Sequence, residues 1–266
     1  MQRIGLIVDA FDPSGCEGIL VDIRTMQVYR VFGVAVVSAV IAQNTQTIEG
    51  IYHVPIEHVG AQLEALRQDF DLTSVKIGIV PDLSTARLIA DTVRDLRIPI
   101  VLDPVYRTTR GYPVFPDVSV YREWVAVFRD AANIITPNVE EAAILAEMDE
   151  VASLADMRSA AERIHEQYGF PTVIVTGGRL RALIRASDVI FDGRRHRVAE
   201  HPWVPRPNRL GVGTVFATLI AILSAQGISI EQAVETAKRF IGRAMQHAFE
   251  IGRGEYHPLN LYIPRV

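Results

Sequence analysis

The chain has 266 residues, 49% hydrophobic and 22% charged, with a formal net charge of −4 from 27 basic and 31 acidic side chains. That size and balance fit one α/β domain and exclude the global basic field that gathers nucleic acid or an anionic membrane. No apolar run approaches the roughly 18 residues needed to span a bilayer, and the single cysteine, Cys16, excludes an internal disulfide and a thiolate zinc cluster, so a cytoplasmic, reducing location is expected.

The N-terminal run reads as the first strand and not as a leader, because Asp9 and Asp12 interrupt it. Val- and Ile-rich runs at 3–8, 34–41, 75–80, 98–103, 133–136 and 172–176 predict strands, most of them buried on both faces. Between them, amphipathic stretches at 18–29, 56–70, 83–96, 118–129, 140–147 and 154–168 predict crossover helices. After Gly177-Gly178 the alternation stops: 187–191 and 196–201 flank Asp192-Gly193, a dipeptide that favours a two-residue hairpin, and so predict two antiparallel edge strands. Pro202, Pro205 and Pro207 predict an extended connection, followed by a helix from 213 to about 226 and another from an N-cap at Ser229 to 247. No repeat or linker divides the chain, so residues 1–266 are expected to form one domain.

Four segments carry candidate chemistry. Gly211-Val212-Gly213-Thr214 opens a long apolar helix, where unsatisfied N–H groups and the helix dipole favour an anion; an ordinary glycine turn before a buried helix is the alternative. It is neither a Walker A loop nor a dinucleotide fingerprint. Asn138 and Glu141 follow a strand and share one face of a first helical turn, so both can point oxygens at a metal–phosphate group, or simply begin a helix. Asp103 ends an apolar strand, where ligands of open parallel sheets collect. The loop 12–18, with Asp22 one turn beyond it and Gln43-Asn44-Thr45 after the second strand, is a compact polar cluster suited to a small polar ring. Cys16 reads as a buried or incidental thiol; the seven histidines lack metal-site spacing, and no G-x-S-x-G elbow is present.

In chain order, Asp-Pro-Ser-Gly at 12–15, Asp22-Ile23-Arg24-Thr25, Ala42-Gln43-Asn44-Thr45-Gln46, Leu102-Asp103-Pro104-Val105, Thr136-Pro137-Asn138 with Glu141, Phe191-Asp192-Gly193, Gly252-Arg253-Gly254 and Pro258-Leu259-Asn260 resemble the hydroxymethylpyrimidine/phosphohydroxymethylpyrimidine kinases of thiamine synthesis, within the ribokinase-like superfamily. The resemblance implies a three-layer α/β fold with a central, mostly parallel sheet, a homodimer, ATP and Mg²⁺ as cofactors, and a small pyrimidine or vitamin precursor as substrate. It implies that Gln43 bonds the aminopyrimidine, with Asp12, Gly15, Asp22 and Val105 around the ring. Asp103 and Glu141 would face the metal; Asn138, Thr176, Gly178, Arg209 and Val212 the nucleotide; and Gly211, Gly213 and Thr214 the transferring group.

Departures fall at the phosphoryl-transfer end. Thr214 stands where related kinases carry a Cys or Asp base, and a threonine hydroxyl is not a useful base near neutral pH. Thr176 replaces the lysine before the paired glycines, and Lys76 and Lys238, the only lysines, lie at no recognisable phosphate motif; Arg209 or Arg179 can supply the missing positive charge, the alternative being that both are solvated surface arginines. The sequence leaves three readings open: an aminopyrimidine kinase, a pyridoxine-type vitamin kinase, and a catalytically silent pyrimidine-binding homologue. It also leaves open whether the loop around 108–111, with Thr108-Thr109-Arg110, closes over a substrate.

Overall fold

A computed structural model describes residues 2–178, 180, 185–204 and 209–265. The chain begins as strand β1 (Ile4–Phe11), helix α1 (Gly18–Val28), β2 (Phe32–Gln43), β3 (Ile48–His53), α2 (Ile56–Asp69), β4 (Ser74–Ile77), α3 (Leu83–Val93), β5 (Ile100–Leu102) and α4 (Val118–Val127). It continues through β6 (Ile134–Ile135), α5 (Val139–Leu145), α6 (Leu154–Tyr168), β7 (Thr172–Thr176), β8 (Ala186–Phe191), β9 (His196–His201), β10 (Arg209–Leu210), α7 (Val212–Ser224), α8 (Ile230–Gln246) and β11 (His257–Pro258).

Among the described residues, nine strands form one sheet in the order β3-β2-β1-β4-β5-β6-β7-β8-β9. The six from β2 to β7 run parallel, and β3, β8 and β9 are antiparallel additions. The period-2 alternation of buried strands divides their side chains between two cores. Leu6, Val8, Val75, Ile77, Ile100 and Leu102 join the core under α2 to α6, whereas Ile7, Val101, Ile134 and Ile174 join the core under α1, α7 and α8. This is the three-layer architecture expected from the sequence. α7 is apolar all round, with every residue from Val215 to Leu223 buried, because the sheet lies on one side and α1 and α8 cover the others. Among the described residues no helix is long and apolar enough to cross a membrane.

Local signals set helix ends, at Ser229 as expected and at Gly169 besides. Ser229 accepts from the Gln232 N–H at 3.3 Å to start α8, and Gly169 ends α6 in a left-handed conformation with φ 75°. The β8–β9 hairpin forms, but its turn is centred one residue later than expected. Asp192 N–H donates to the Arg195 carbonyl, the Asp192 carboxylate accepts from the N–H groups of Arg194 and Arg195, and Gly193 takes φ 82°. β3 was not foreseen. Asn44 accepts from the N–H groups of Gln46 and Thr47, so the segment assigned to a ring-holding cluster is also the turn of a β2–β3 hairpin. Because β3 is a mostly exposed edge strand, its residues lack the apolar alternation that marks buried strands. Of the expected proline-rich connection, residues 205–208 lie outside the described residues.

Candidate active site

The loop after β1 and the carboxyl end of β5 meet the start of α7. Gly211, the α7 N-cap, has φ 84°, and a side chain there would place Cβ 2.7 Å from the Cys16 carbonyl, so glycine is required both by conformation and by the close approach of the N-terminal loop. No side chain caps α7, and the first N–H to bond back along the helix is that of Val215, to the Gly211 carbonyl at 2.9 Å. The N–H groups of Val212, Gly213 and Thr214 therefore lack helical acceptors. Leu210 and Phe216 turn into the core while Gly213 is exposed, so the helix entrance is not plugged by its neighbours.

Asp103, one residue beyond β5, faces this entrance: its Oδ2 lies 4.0 Å from where a Gly213 Cβ would stand. It is 7% exposed, and its carboxylate makes no hydrogen bond to a described residue. Burial pushes its pKa up to about 6, against the pull of the Lys76 ammonium.

Behind it lies a charge network that sequence reading missed. Lys76, fully buried on β4, pairs with Asp9 and, at 3.2 Å, with Asp22; the Thr218 hydroxyl also donates to Asp22. Period-2 alternation aims Asp9 and Lys76 at the α7 face, and Gly78 leaves room for the Asp9 carboxylate, whose Oδ1 accepts from the N–H groups of Ala10 and Ile79. Burial alone would lower the Lys76 pKa, but Asp22, Asp9 and Asp103 together hold it above its ordinary value. Two carboxylates share one ammonium, so burial prevails at Asp22 and raises its pKa to about 7 despite Lys76.

Two residues expected around the ring are engaged within the protein. Asp22 is fully buried within this network, because it lies on the sheet-facing side of α1, and it supports the site from beneath. Asp12 is fully buried as well; its carboxylate accepts from the N–H groups of Ser14, Cys16 and Glu17 and from the Ser14 hydroxyl, and so it shapes the loop that was expected to hold the ring. Gly15 contributes a left-handed turn, with φ 66°, and a carbonyl that accepts from Arg24 at 2.7 Å.

Gln43 behaves differently. At the end of β2 it is 7% exposed, and neither Nε2 nor Oε1 has a hydrogen-bond partner among the described residues. Three segments converge around it. Thr109 donates to Glu17, Arg110 donates to the carbonyl of Asn44, and the Thr45 hydroxyl accepts from the N–H groups of Arg253 and Gly254 in the C-terminal segment. The 108–111 loop is therefore folded down onto the N-terminal loop and the β2–β3 turn, with Val105 partly buried at its root. Glu17 was not singled out from sequence; burial raises its pKa, while Thr109 and the Gly211 N–H pull the other way.

On the far side of the α7 entrance, Asn138 and Thr176 are neighbours across a parallel bridge. Asn138 accepts from the N–H groups of Glu140 and Glu141, and Glu141 reaches back to the Asn138 N–H at 2.8 Å, a complete capping box. The second Glu141 oxygen accepts from the Tyr106 N–H at 3.2 Å. One Glu141 oxygen thus closes the start of α5 and the other ties α5 to the root of the 108–111 loop. Gly178 is exposed with open space where a Cβ would be. Arg209 is partly buried, and its Nε and Nη1 lack partners among the described residues; Arg179 lies outside them. Lys238 is a correction of another kind. Its Nζ is 2.8 Å from Asp188 Oδ2, and Asp188 Oδ1 accepts from the Gly177 N–H at 3.0 Å, so a lysine does stand one carboxylate away from the paired glycines, delivered by α8.

A family model described as phosphomethylpyrimidine kinase matches residues 12–260. The chain belongs to the phosphomethylpyrimidine kinase family. The hydroxymethylpyrimidine/phosphomethylpyrimidine kinase of Aquifex aeolicus (strain VF5) is 32% identical over 253 residues, 94% of this chain and 97% of that protein. The chloroplastic thiamine biosynthetic bifunctional enzyme of Arabidopsis thaliana is 32% identical over 260 residues, 96% of this chain and 49% of that longer one. The structure of Bacillus subtilis pyridoxal kinase in complex with ADP aligns with a TM-score of 0.85 at 27% identity, covering 98% of this chain and 97% of that one. The architecture of this phosphomethylpyrimidine kinase family member is accordingly the ribokinase-like fold.

Among the described residues, no group of three or more His, Cys, Asp or Glu is arranged to hold a metal by itself. Mg²⁺ in phosphoryl-transfer sites is commonly held by one or two carboxylates together with the substrate's phosphates, so a larger cluster is not required. Asp103 fits that role, being a hard oxygen donor with no competing hydrogen bond, turned toward a helix entrance that favours phosphate.

Proposed function

We propose that the chain transfers the γ-phosphoryl group of ATP to the hydroxymethyl group of a small aminopyrimidine, as in thiamine synthesis. The observation that carries this reading is Gln43: a buried carboxamide with an unused donor and an unused acceptor matches the paired amino group and ring nitrogen of an aminopyrimidine edge. The acceptor oxygen attacks the γ-phosphorus, the bond to the β–γ bridging oxygen breaks, ADP leaves and the alcohol releases its proton. The N–H groups of Val212, Gly213 and Thr214 and the α7 dipole stabilise the charge on the transferring group. Arg209, whose Nε and Nη1 have no partner among the described residues, and Lys238 supply positive charge toward the nucleotide, beside Asn138, Thr176 and Gly178. When bound, Mg²⁺ neutralises phosphate oxygens, and Asp103 would hold it.

Thr214 supplies no base, and a general base is worth about 10²- to 10⁴-fold elsewhere. Phosphoryl transfer has a loose transition state in which positioning and charge dominate, so the reading is of a slow kinase. The test is Mg²⁺-dependent ADP production with hydroxymethylpyrimidine: phosphorylated product is expected, and its absence at high concentrations of folded protein overturns the assignment. The likeness to pyridoxal kinase favours a second reading, a pyridoxine-type acceptor, which side-by-side turnover of the two alcohols decides. Thr176 and Thr214 motivate a third, a silent pyrimidine-binding protein; calorimetry that finds pyrimidine binding without ATP binding would favour it. A cytoplasmic homodimer completes the reading, with sedimentation as its check.

A further inference from the structure

The tail motif Gly252-Arg253-Gly254, followed by Pro258-Leu259-Asn260, is not used by the transfer chemistry, yet it touches both halves of the site. After α8 the chain passes against the β2–β3 turn, where the Thr45 hydroxyl accepts from the N–H groups of Arg253 at 3.2 Å and Gly254 at 3.1 Å. Both glycines answer to this one threonine. Gly252 has φ 81°, and a Cβ there would overlap the Thr45 hydroxyl; a Cβ on Gly254 would overlap the Thr45 carbonyl. The Tyr256 ring then packs against the Arg110 guanidinium, 5.5 Å from the ring centroid, and Arg110 itself donates to the Asn44 carbonyl, so the same turn is gripped twice. Next, β11 pairs in parallel with β10: His257 lies opposite Arg209, and Pro258 opposite Leu210, the residue before the α7 N-cap Gly211. Beyond it Leu259 and Leu261 are buried in the core of α7 and α8, and the Asn260 N–H donates to the Ala244 carbonyl at 3.3 Å.

Residues 252–258 therefore form a strap between the turn that follows Gln43 and the strand that leads into α7. An extended chain covers at most about 3.6 Å per residue, so the steps from Gly254 to His257 span no more than about 11 Å. The two halves cannot part beyond that reach without breaking a contact of the strap. We infer that Thr45 is a positioning residue of the transfer reaction: by holding the strap, it fixes the hairpin that carries Gln43 relative to the N–H groups at the start of α7. It acts through the Arg253 and Gly254 backbone and not on the substrate itself. An alcohol must lie in line with the γ-phosphorus, and a misplacement of about 1 Å costs on the order of 100-fold in rate. The inference rests on the proposed kinase reading and adds to it the residue that sets the spacing of acceptor and phosphoryl sites.

The test compares wild type, Thr45→Val and Thr45→Ser by steady-state kinetics with hydroxymethylpyrimidine and ATP, calorimetry with ATP alone, and amide hydrogen exchange. Valine keeps the branched shape and removes the acceptor; serine restores the acceptor without the methyl group. Thr45→Val is expected to speed exchange across 253–257 and to lower kcat by about 10- to 100-fold, with ATP affinity and the KM for the pyrimidine close to wild type. Thr45→Ser is expected to recover kcat. Faster exchange with an unchanged kcat, a fall in kcat without faster exchange, an equal loss of ATP affinity, or no recovery in Thr45→Ser overturns the inference. The same measurements separate it from the underlying reading. Wild type that phosphorylates the alcohol while kcat ignores Thr45 sinks only the role of Thr45, whereas Thr45-dependent exchange in a wild type that forms no phosphorylated product sinks only the kinase.

Discussion

At Gln43 the protein holds a carboxamide where an apolar side chain would fit the burial better. An unsatisfied buried polar group costs about 1–3 kcal/mol, which a ligand bonded to the carboxamide would return. Gln43→Leu is therefore expected to raise unfolding stability, by about 1 kcal/mol, while weakening pyrimidine binding by roughly 10- to 100-fold; chemical denaturation and calorimetry on the same variant check both signs. Thr214 sits at the N-terminal turn of α7 with its carbonyl accepting from the Thr218 hydroxyl, so its backbone is fixed and its side chain is free to be exchanged. Thr214→Cys is expected to raise kcat by about tenfold or more with little change in the KM for ATP, since a general base adds rate and not ground-state binding. Steady-state kinetics read this directly, and an unchanged or lower kcat contradicts it.

The element that organises the site is α7, whose first turn works only while its N–H groups stay uncapped and its entrance stays clear. Gly211 secures both, through a left-handed backbone and the close pass of the Cys16 carbonyl. Gly211→Ala is expected to cost about 1–3 kcal/mol of stability, from backbone conformation plus the clash with Cys16, and to weaken ATP binding more than pyrimidine binding because the distortion is local to the helix start. Urea unfolding and paired titrations measure these. α5 plays a linking role: its capping box spends Asn138 and one Glu141 oxygen on the helix start, and the other oxygen holds the root of the 108–111 loop. The Asn-x-x-Glu spacing is legible in the sequence, yet spacing does not say whether two oxygens face a ligand or a neighbouring N–H.

Across the whole molecule, the sheet carries a buried ionic centre joining β1, β4, α1 and α7 through Asp9, Lys76, Asp22 and Thr218. Removing the shared cation leaves two carboxylates buried without their counter-ion, so Lys76→Met is expected to lose about 3–5 kcal/mol in urea unfolding. The centre also gives stability a pH dependence. Asp22 keeps its proton up to about 7 when folded but releases it near 3.8 when exposed in the unfolded chain. Between these values the folded state binds more protons, so this contribution is fully present below the lower value and is lost as pH rises through the upper one. The stability advantage of wild type over Asp22→Asn is therefore expected to shrink between about pH 4 and pH 7 and to level off above it; unfolding curves at several pH values in that window check the sign.

The alternation of buried strands with helices, the layers on both faces of the sheet and the glycine start of α7 follow from the sequence alone, because periodicity, turn residues and N-caps act over a few neighbouring positions, whereas the exposed edge strand β3 does not. Gln43 and Asp103 also stood out locally, as polar residues ending apolar strands. Asp12 and Asp22 looked equivalent to them, and only tertiary packing shows that the first is spent on its own loop and the second on Lys76. Lys76 reads as one polar residue in a strand until β1 and α1 bring two carboxylates to it, and Lys238 acquires its position by the paired glycines only when α8 crosses β8 and β9. What a side chain can be is written along the chain; which partner satisfies it, or leaves it unsatisfied for a ligand, depends on contacts between residues far apart in sequence, set only when the layers close.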